Sequence, residues 1–298
     1  MNTIIKSENI RGEIMNNIIK RNVICKLAVA ALCSTLVLTG CAGQSKSNVS
    51  KISIVGSTSV QPLAEKLAEK YNESQPQVNI EIQGVGSTAG IKAVNDGTCD
   101  IGTSSRELKT EEKAWNLTET TIALDGIAVI ASSNNKVGDL TKDQIVKIFK
   151  GEIKNWSEVG GDNKEIIVVS REAGSGTRGA FEELLKLEKK EGDKTISLVV
   201  ANALVAEGNG SVMANVAGKD NAIGYMSIGM VDETKVKKLK LDGVEATEEN
   251  VKLGKYSISR PFLMLTKGEA KKESKEFLDF ILGEEGQKVV SEDYISVK

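Results

Sequence analysis

The sequence predicts an α/β protein, on three observations. Short apolar runs alternate with stretches of helical periodicity, glycine is frequent (28 residues) while proline is scarce (3), and several apolar runs pass straight into Gly/Ser/Thr turns that open helices. Such alternation is the pattern of largely parallel sheets covered by helices.

The first 40 residues stand apart from that pattern. Lys20, Arg21 and Lys26 form a positive flank, residues 27–38 an apolar run of 12 residues, and Leu38-Thr39-Gly40-Cys41 closes the segment. A charged flank, a short apolar core and a small residue at the cut make a secretory signal. The run is well short of the roughly 20 residues that span a membrane as a helix. Met15 serves this reading as a start as well as Met1 does. Residues 41–50, rich in Ser, Gly and Asn, read as a flexible tether.

The elements then follow in order. Residues 52–55 form a short buried strand, and Val60, Leu63, Ala64 and Leu67 recur at helical spacing. Val78, Ile80 and Ile82 alternate as a strand. Residues 121–131 are a long apolar stretch ending in the polar turn Ser132-Ser133-Asn134-Asn135. Residues 141–149 read as a helix, 166–169 as a buried strand, and Phe181, Leu184 and Leu185 mark the helix after it. The charge run 186–194 reads as a solvated helix end and loop. Residues 257–266 return as an apolar strand, and 271–286 close the chain as one amphipathic helix.

Composition excludes several chemistries. The chain has no histidine, which removes most zinc, copper and iron sites and every Ser-His or Cys-His nucleophile. Neither a metal-binding carboxylate cluster nor a cofactor motif occurs, so no metal, cofactor or catalytic residue is expected. Residues 1–40 hold five Lys/Arg and two Asp/Glu, leaving the remainder at net −5. That acidity and the 4% aromatic content argue against nucleic acid as a partner. Of the four cysteines, Cys25 and Cys33 leave with the signal, and Cys99 reads as a small buried hydrophobe.

Three turns share one design. Gly56-Ser57-Thr58-Ser59 follows the first strand. Gly84-Val85-Gly86-Ser87-Thr88-Ala89-Gly90 follows the second. Arg171-Glu172-Ala173-Gly174-Ser175-Gly176-Thr177 follows residues 166–169, and Gly102-Thr103-Ser104-Ser105 is a weaker fourth case. A helix begins with unpaired N–H groups and a partial positive charge, so its first turn attracts anions. Glycine admits close approach, hydroxyls add rotatable donors, and Arg171 supplies a full charge with a fork for two oxygens. Each turn alone is an ordinary N-cap; together they form a site for a small free oxyanion. The spacing fits neither the dinucleotide nor the P-loop pattern.

With Gly56-Ser57-Thr58-Ser59-Val60-Gln61-Pro62, Gly84-Val85-Gly86-Ser87, Asp100-Ile101-Gly102-Thr103-Ser104-Ser105-Arg106 and Ser170-Arg171-Glu172-Ala173-Gly174-Ser175-Gly176-Thr177-Arg178, the chain resembles the phosphate-binding component of the Pst-type ABC importer. Ala222-Ile223-Gly224-Tyr225 and Ile258-Ser259-Arg260-Pro261 add to the likeness, which runs from about Lys51 to the C-terminus. The resemblance implies a two-lobed type II periplasmic binding fold with the ligand cleft between lobes. Residues 51–126 with 257–298 would form one lobe and 127–256 the other, with crossings near 124–130 and 256–262. It implies inorganic phosphate as ligand, held by Thr58, Ser59, Ser87, Ser105, Arg171, Ser175, Gly176 and Thr177. It further implies permease and ATPase subunits as partners. The signal's ending resembles a lipobox, which would acylate Cys41 and anchor the protein at the extracytoplasmic face of the membrane. Many members carry an aspartate, which takes the proton of monohydrogen phosphate, where this chain has Ser105. Arg106 beside it reads as an ion-pair partner of a nearby acid. Alternatives are another tetrahedral oxyanion such as sulfate or molybdate, an adhesion or sensing role, or a serine-dependent phosphoester enzyme built on Ser175.

Overall fold

A computed structural model describes residues 50–192 and 194–298. The signal, the tether and Cys41 lie outside the described residues.

Strand β1 (Ser50–Gly56) buries Ile52 and Ile54 and ends at Gly56, where φ is +150°. Helix α1 (Gln61–Ser74) starts with Pro62 in its first turn, where a missing N–H costs nothing. It buries Leu63, Ala64, Leu67, Ala68 and Tyr71 on one stripe. β2 (Val78–Gly84) pairs parallel with β1; Val78 is buried, whereas Ile80 and Ile82 are only half-buried. α2 (Ser87–Asn95) lies so close to β1 that a Cβ on Gly90 would sit 2.5 Å from the Val55 carbonyl oxygen. β3 (Ile101–Ser104) pairs parallel with β1 on its other side. No long helix follows β3: after a bend at Ser105 and Arg106 only the four-residue α3 (Thr110–Lys113) forms. The fourth turn therefore does not open a helix directly, as the sequence had suggested. β4 (Leu117–Ser132) is sixteen residues long, outrunning the apolar stretch that announced it at both ends.

A short β5 (Asp139–Leu140) precedes α4 (Lys142–Phe149), whose cap Thr141 accepts the Gln144 N–H at 3.2 Å. β6 (Ile167–Arg171) leads into α5 (Gly176–Leu184). The following charge run is a hairpin, β7 (Glu188–Glu191) with β8 (Lys194–Ser197), rather than a loop. Gly192 at φ +61° supplies the turn, and charged side chains keep both strands solvated, so solvation alone did not reveal the pairing. Then come β9 (Leu204–Ala206), α6 (Gly208–Ala217), β10 (Ala222–Ser227), β11 (Val236–Lys238), β12 (Lys240–Leu241), α7 (Glu248–Lys252) and β13 (Ser259–Lys267). The C-terminal helix expected over 271–286 is two, α8 (Lys272–Ile281) and α9 (Glu284–Val290). The break falls at Gly283, which takes an extended conformation at the start of α9.

The main sheet runs β2-β1-β3-β13-β4-β10-β6-β9, with β11 also on β4. Its flanks are parallel, β2-β1-β3 and β10-β6-β9, but its centre is antiparallel, correcting the largely parallel expectation. The cause is β4, which pairs with β13 up to Gly126 and with β10 from Ile127 onward. At the exchange Pro261 lacks an N–H for its partner Leu124. Leu124 instead trades both backbone hydrogen bonds with Ile295, at 2.9 and 3.0 Å. Buried residues gather in two large clusters, one around Ile52, Leu67, Ile122, Phe262 and Phe277, the other around Val129, Phe149, Phe181, Tyr225 and Ile258.

Candidate functional site

Arg171 ends β6, and its alternation with buried Val169 turns it inward; it is 1% exposed. Its backbone N–H donates to the Tyr225 hydroxyl at 3.3 Å, and the Tyr225 ring stacks on Phe181 at 3.9 Å, so the strand end is held on a rigid support. The Arg171 Nε and Nη2 donate to both carboxylate oxygens of Glu172 at 2.9 and 2.8 Å, and Nη2 also donates to Thr58 Oγ1 at 3.1 Å. Burial raises the pKa of Glu172, but the Arg171 guanidinium outweighs it and holds the carboxyl below its usual range. Nη1 is buried and has no hydrogen-bond partner among the described residues. A buried unpaired guanidinium N–H is costly, and this one is free to donate.

The hydroxyl turns are joined to one another, and Thr58 joins them to the same guanidinium. Ser59 Oγ lies 2.8 Å from Thr177 Oγ1, joining the turn after β1 to the first turn of α5. The Thr88 N–H donates to the Gly174 carbonyl at 3.1 Å, which links the first turn of α2 to the turn before α5. Ser87 Oγ accepts the Ser105 N–H at 3.1 Å and lies 3.5 Å from Ser105 Oγ. Gly176 abuts both: a Cβ there would come within 2.7 Å of Ser105 Oγ and closer still to Ser87. Ser57, Ser59, Ser87, Ser105, Ser175 and Thr177 are all 3% exposed or less.

Seven of the eight sequence-derived candidates thus meet: Thr58, Ser59, Ser87, Ser105, Arg171, Gly176 and Thr177. Ser175, buried beside Gly176, also caps α5: its Oγ accepts the Arg178 N–H at 3.2 Å and keeps its proton to give. Arg106 pairs with Glu112 at 2.6 and 2.8 Å, the ion pair expected of it, and also donates to Thr88 Oγ1 at 3.2 Å. Cys99 is buried, and burial pushes its thiol up to about 11.

Five further residues shape the site and were not singled out. Ser57 Oγ accepts the N–H groups of Ser59 and Val60 at 3.1 and 3.3 Å, so its own proton goes to Ser105 Oγ at 2.9 Å. One acceptor position of Ser105 is thereby filled, and the second is open when Ser105 is the donor in its 3.5 Å contact with Ser87 Oγ. Asp125 and Arg260, register partners on β4 and β13, form a fully buried pair at 2.9 and 3.2 Å. Burial pushes the Asp125 carboxyl up despite Arg260, and pulls Arg260 down. Ser227 donates to Asp125 at 2.8 Å, while Arg260 Nη1 donates to the Ser105 carbonyl at 3.1 Å. The signal was present: Asp125 and Arg260 each place a charge directly beside a long apolar run. Asn209 comes from α6, a further strand-turn-helix junction whose Gly208 has φ +72°. Its Gly-Asn-Gly sequence carried no hydroxyl to draw attention.

The site can enclose a small anion with hydroxyls, backbone N–H groups and one guanidinium, much of whose charge Glu172 balances. Residues 42–285 match the PBP superfamily domain. The chain is 34% identical over 295 residues to the phosphate-binding protein PstS of Bacillus subtilis (strain 168), covering 93% of this chain and 95% of that one. Among solved structures it is similar to one from Clostridium perfringens, holding bound phosphate and assigned as a phosphate ABC transporter substrate-binding protein. That likeness has 47% identity and a TM-score of 0.78, covering 83% of this chain and 100% of that one. An ABC-type phosphate transport receptor from Vibrio cholerae follows, with 41% identity, a TM-score of 0.70 and coverage of 83% and 100%.

Proposed function

The chain belongs to the PBP superfamily and, within it, to the PstS phosphate-binding proteins, and from that premise we propose that it captures inorganic phosphate in this cleft and delivers it to an ABC importer. The observation that carries the reading is the buried, unpartnered Nη1 of Arg171, whose Nη2 reaches Thr58, together with the linked buried hydroxyls of Ser59, Ser87, Ser105 and Thr177. Hydrogen bonds to a charged group contribute about 1.5–3 kcal/mol each, so several together offset the desolvation of a small dianion. Ser105 keeps one acceptor position for the proton of monohydrogen phosphate, the task an aspartate performs in many relatives. A hydroxyl opposes sulfate less than a carboxylate does, so selectivity over sulfate is expected to be modest. The protein acts as a binder rather than an enzyme in this reading, because the chain has no histidine to serve as a base for Ser175. Titration calorimetry with inorganic phosphate and with sulfate tests the reading. Tight phosphate binding and weaker sulfate binding are expected; sulfate binding without phosphate binding would overturn it.

Lobe one comprises residues 51–126 and 257–298 and lobe two residues 127–256. The two close on the ligand, with β4 and β13 as the crossings. The protein is exported and anchored through acylated Cys41 at the extracytoplasmic face, where the permease and ATPase subunits of the importer receive its cargo. Cys41→Ala is expected to move the protein from the membrane fraction to the medium or the soluble extracytoplasmic fraction. Unchanged membrane retention would sink the anchor.

A further inference from the structure

Ser59 Oγ sits where three side chains converge. It accepts from Asn209 Nδ2 at 3.0 Å and from Arg260 Nη2 at 3.3 Å, and lies 2.8 Å from Thr177 Oγ1. The direction of the first two bonds is not open to reversal. A guanidinium has donors only. The Asn209 amide is oriented by the Ser227 N–H, which donates to its Oδ1 at 3.2 Å and so turns Nδ2 toward Ser59. A hydroxyl has two acceptor positions and one proton. Both acceptor positions of Ser59 are filled, and its proton can only be given, to Thr177 Oγ1 or to an anion oxygen beside it. Ser59, Asn209 and Arg260 are 0%, 1% and 3% exposed, so bulk water does not compete for these bonds.

We propose that Asn209, assisted by Arg260, is a positioning residue that sets the polarity of Ser59, so that this pole of the cleft only donates hydrogen bonds and accepts only an ionised anion oxygen. The inference rests on the phosphate reading above. A protonated ligand oxygen at this pole would set donor against donor. The Ser105 pole differs, because its hydroxyl receives a proton from Ser57 and keeps an acceptor position. Monohydrogen phosphate therefore binds in one orientation, ionised oxygens at Ser59 and the P–OH at Ser105.

A double-mutant cycle separates this role from a merely structural one. Phosphate affinity is measured by calorimetry for the wild type, Ser59→Ala, Asn209→Leu and the double variant. Asn209→Leu is expected to weaken binding about tenfold in the wild type, yet less than about twofold in the Ser59→Ala background. Equal losses in both backgrounds would show that Asn209 does not act through Ser59, and overturn the inference. Asn209→Asp guards against a leucine variant that folds poorly. It keeps the Ser227 bond but offers Ser59 an acceptor, claiming the proton meant for the ligand. Its affinity relative to wild type is expected to be about 100-fold lower near pH 8 and to recover as pH falls and the new carboxyl protonates. A ratio that stays constant with pH would also overturn the inference. Wild-type protein that fails to bind phosphate would instead remove the underlying reading, and is seen before any variant is made.

Discussion

Arg171→Met is expected to weaken phosphate binding by about a hundredfold or more, while leaving the unliganded protein folded. Arg260 spends its donors on Asp125, Ser59 and the Ser105 carbonyl, whereas the buried Nη1 of Arg171 has no partner among the described residues. Two charge-assisted hydrogen bonds at about 1.5–3 kcal/mol each correspond to that loss in affinity. The cost to folding is small, because Glu172, deprived of its partner, is a quarter exposed and can be rehydrated. Arg171→Lys restores the charge but not the fork, and is expected to fall between the two. Calorimetric affinity beside the unliganded thermal midpoint checks both parts. Wild-type affinity in the methionine variant would mean that the anion sits elsewhere.

The second large effect is on stability. Asp125→Ala is expected to destabilise the protein by about 3–5 kcal/mol, because it strands the buried Arg260 charge. For a chain of this size that lowers the thermal midpoint by about 10 °C. Adding Arg260→Leu to the same chain is expected to recover part of the loss, since removing both charges costs less than leaving one. Recovery stays partial because Ser59 and the Ser105 carbonyl lose a donor. Thermal unfolding without phosphate makes the comparison; a double variant less stable than Asp125→Ala would refute the argument. The pair sits where β4 exchanges β13 for β10, and through Arg260 it also holds Ser59 and the Ser105 carbonyl.

How much was legible differs between elements. β1 with α1, α4, and β6 with α5 could be read because each shows its period beside a capping or turn signal: Thr141 before α4, Ser175 before α5, Pro62 in α1. The β7–β8 hairpin could not, since its strands are solvated and carry no apolar alternation. The break at Gly283 was hidden because the apolar stripe continues past it, through Gly286 and Val290. Sheet direction was misjudged because alternating strands and helices say nothing about β13, a strand that returns from the far end of the chain.

The sequence by itself determined the chemistry of the cleft: hydroxyls and N–H groups at glycine-rich helix starts, one forked cation, no histidine and no aromatic platform. Those are properties of residue type and local spacing. Tertiary structure alone decided which hydroxyls face one another and in which direction each gives its proton. Ser57, Asn209 and Arg260 reach the site across sequence separations of 48, 150 and 201 residues to the hydroxyls they bind. No local pattern encodes such meetings. They follow from the switch of β4 between two partners, which brings separate parts of the chain against one shell of hydroxyls and commits each to donate or accept.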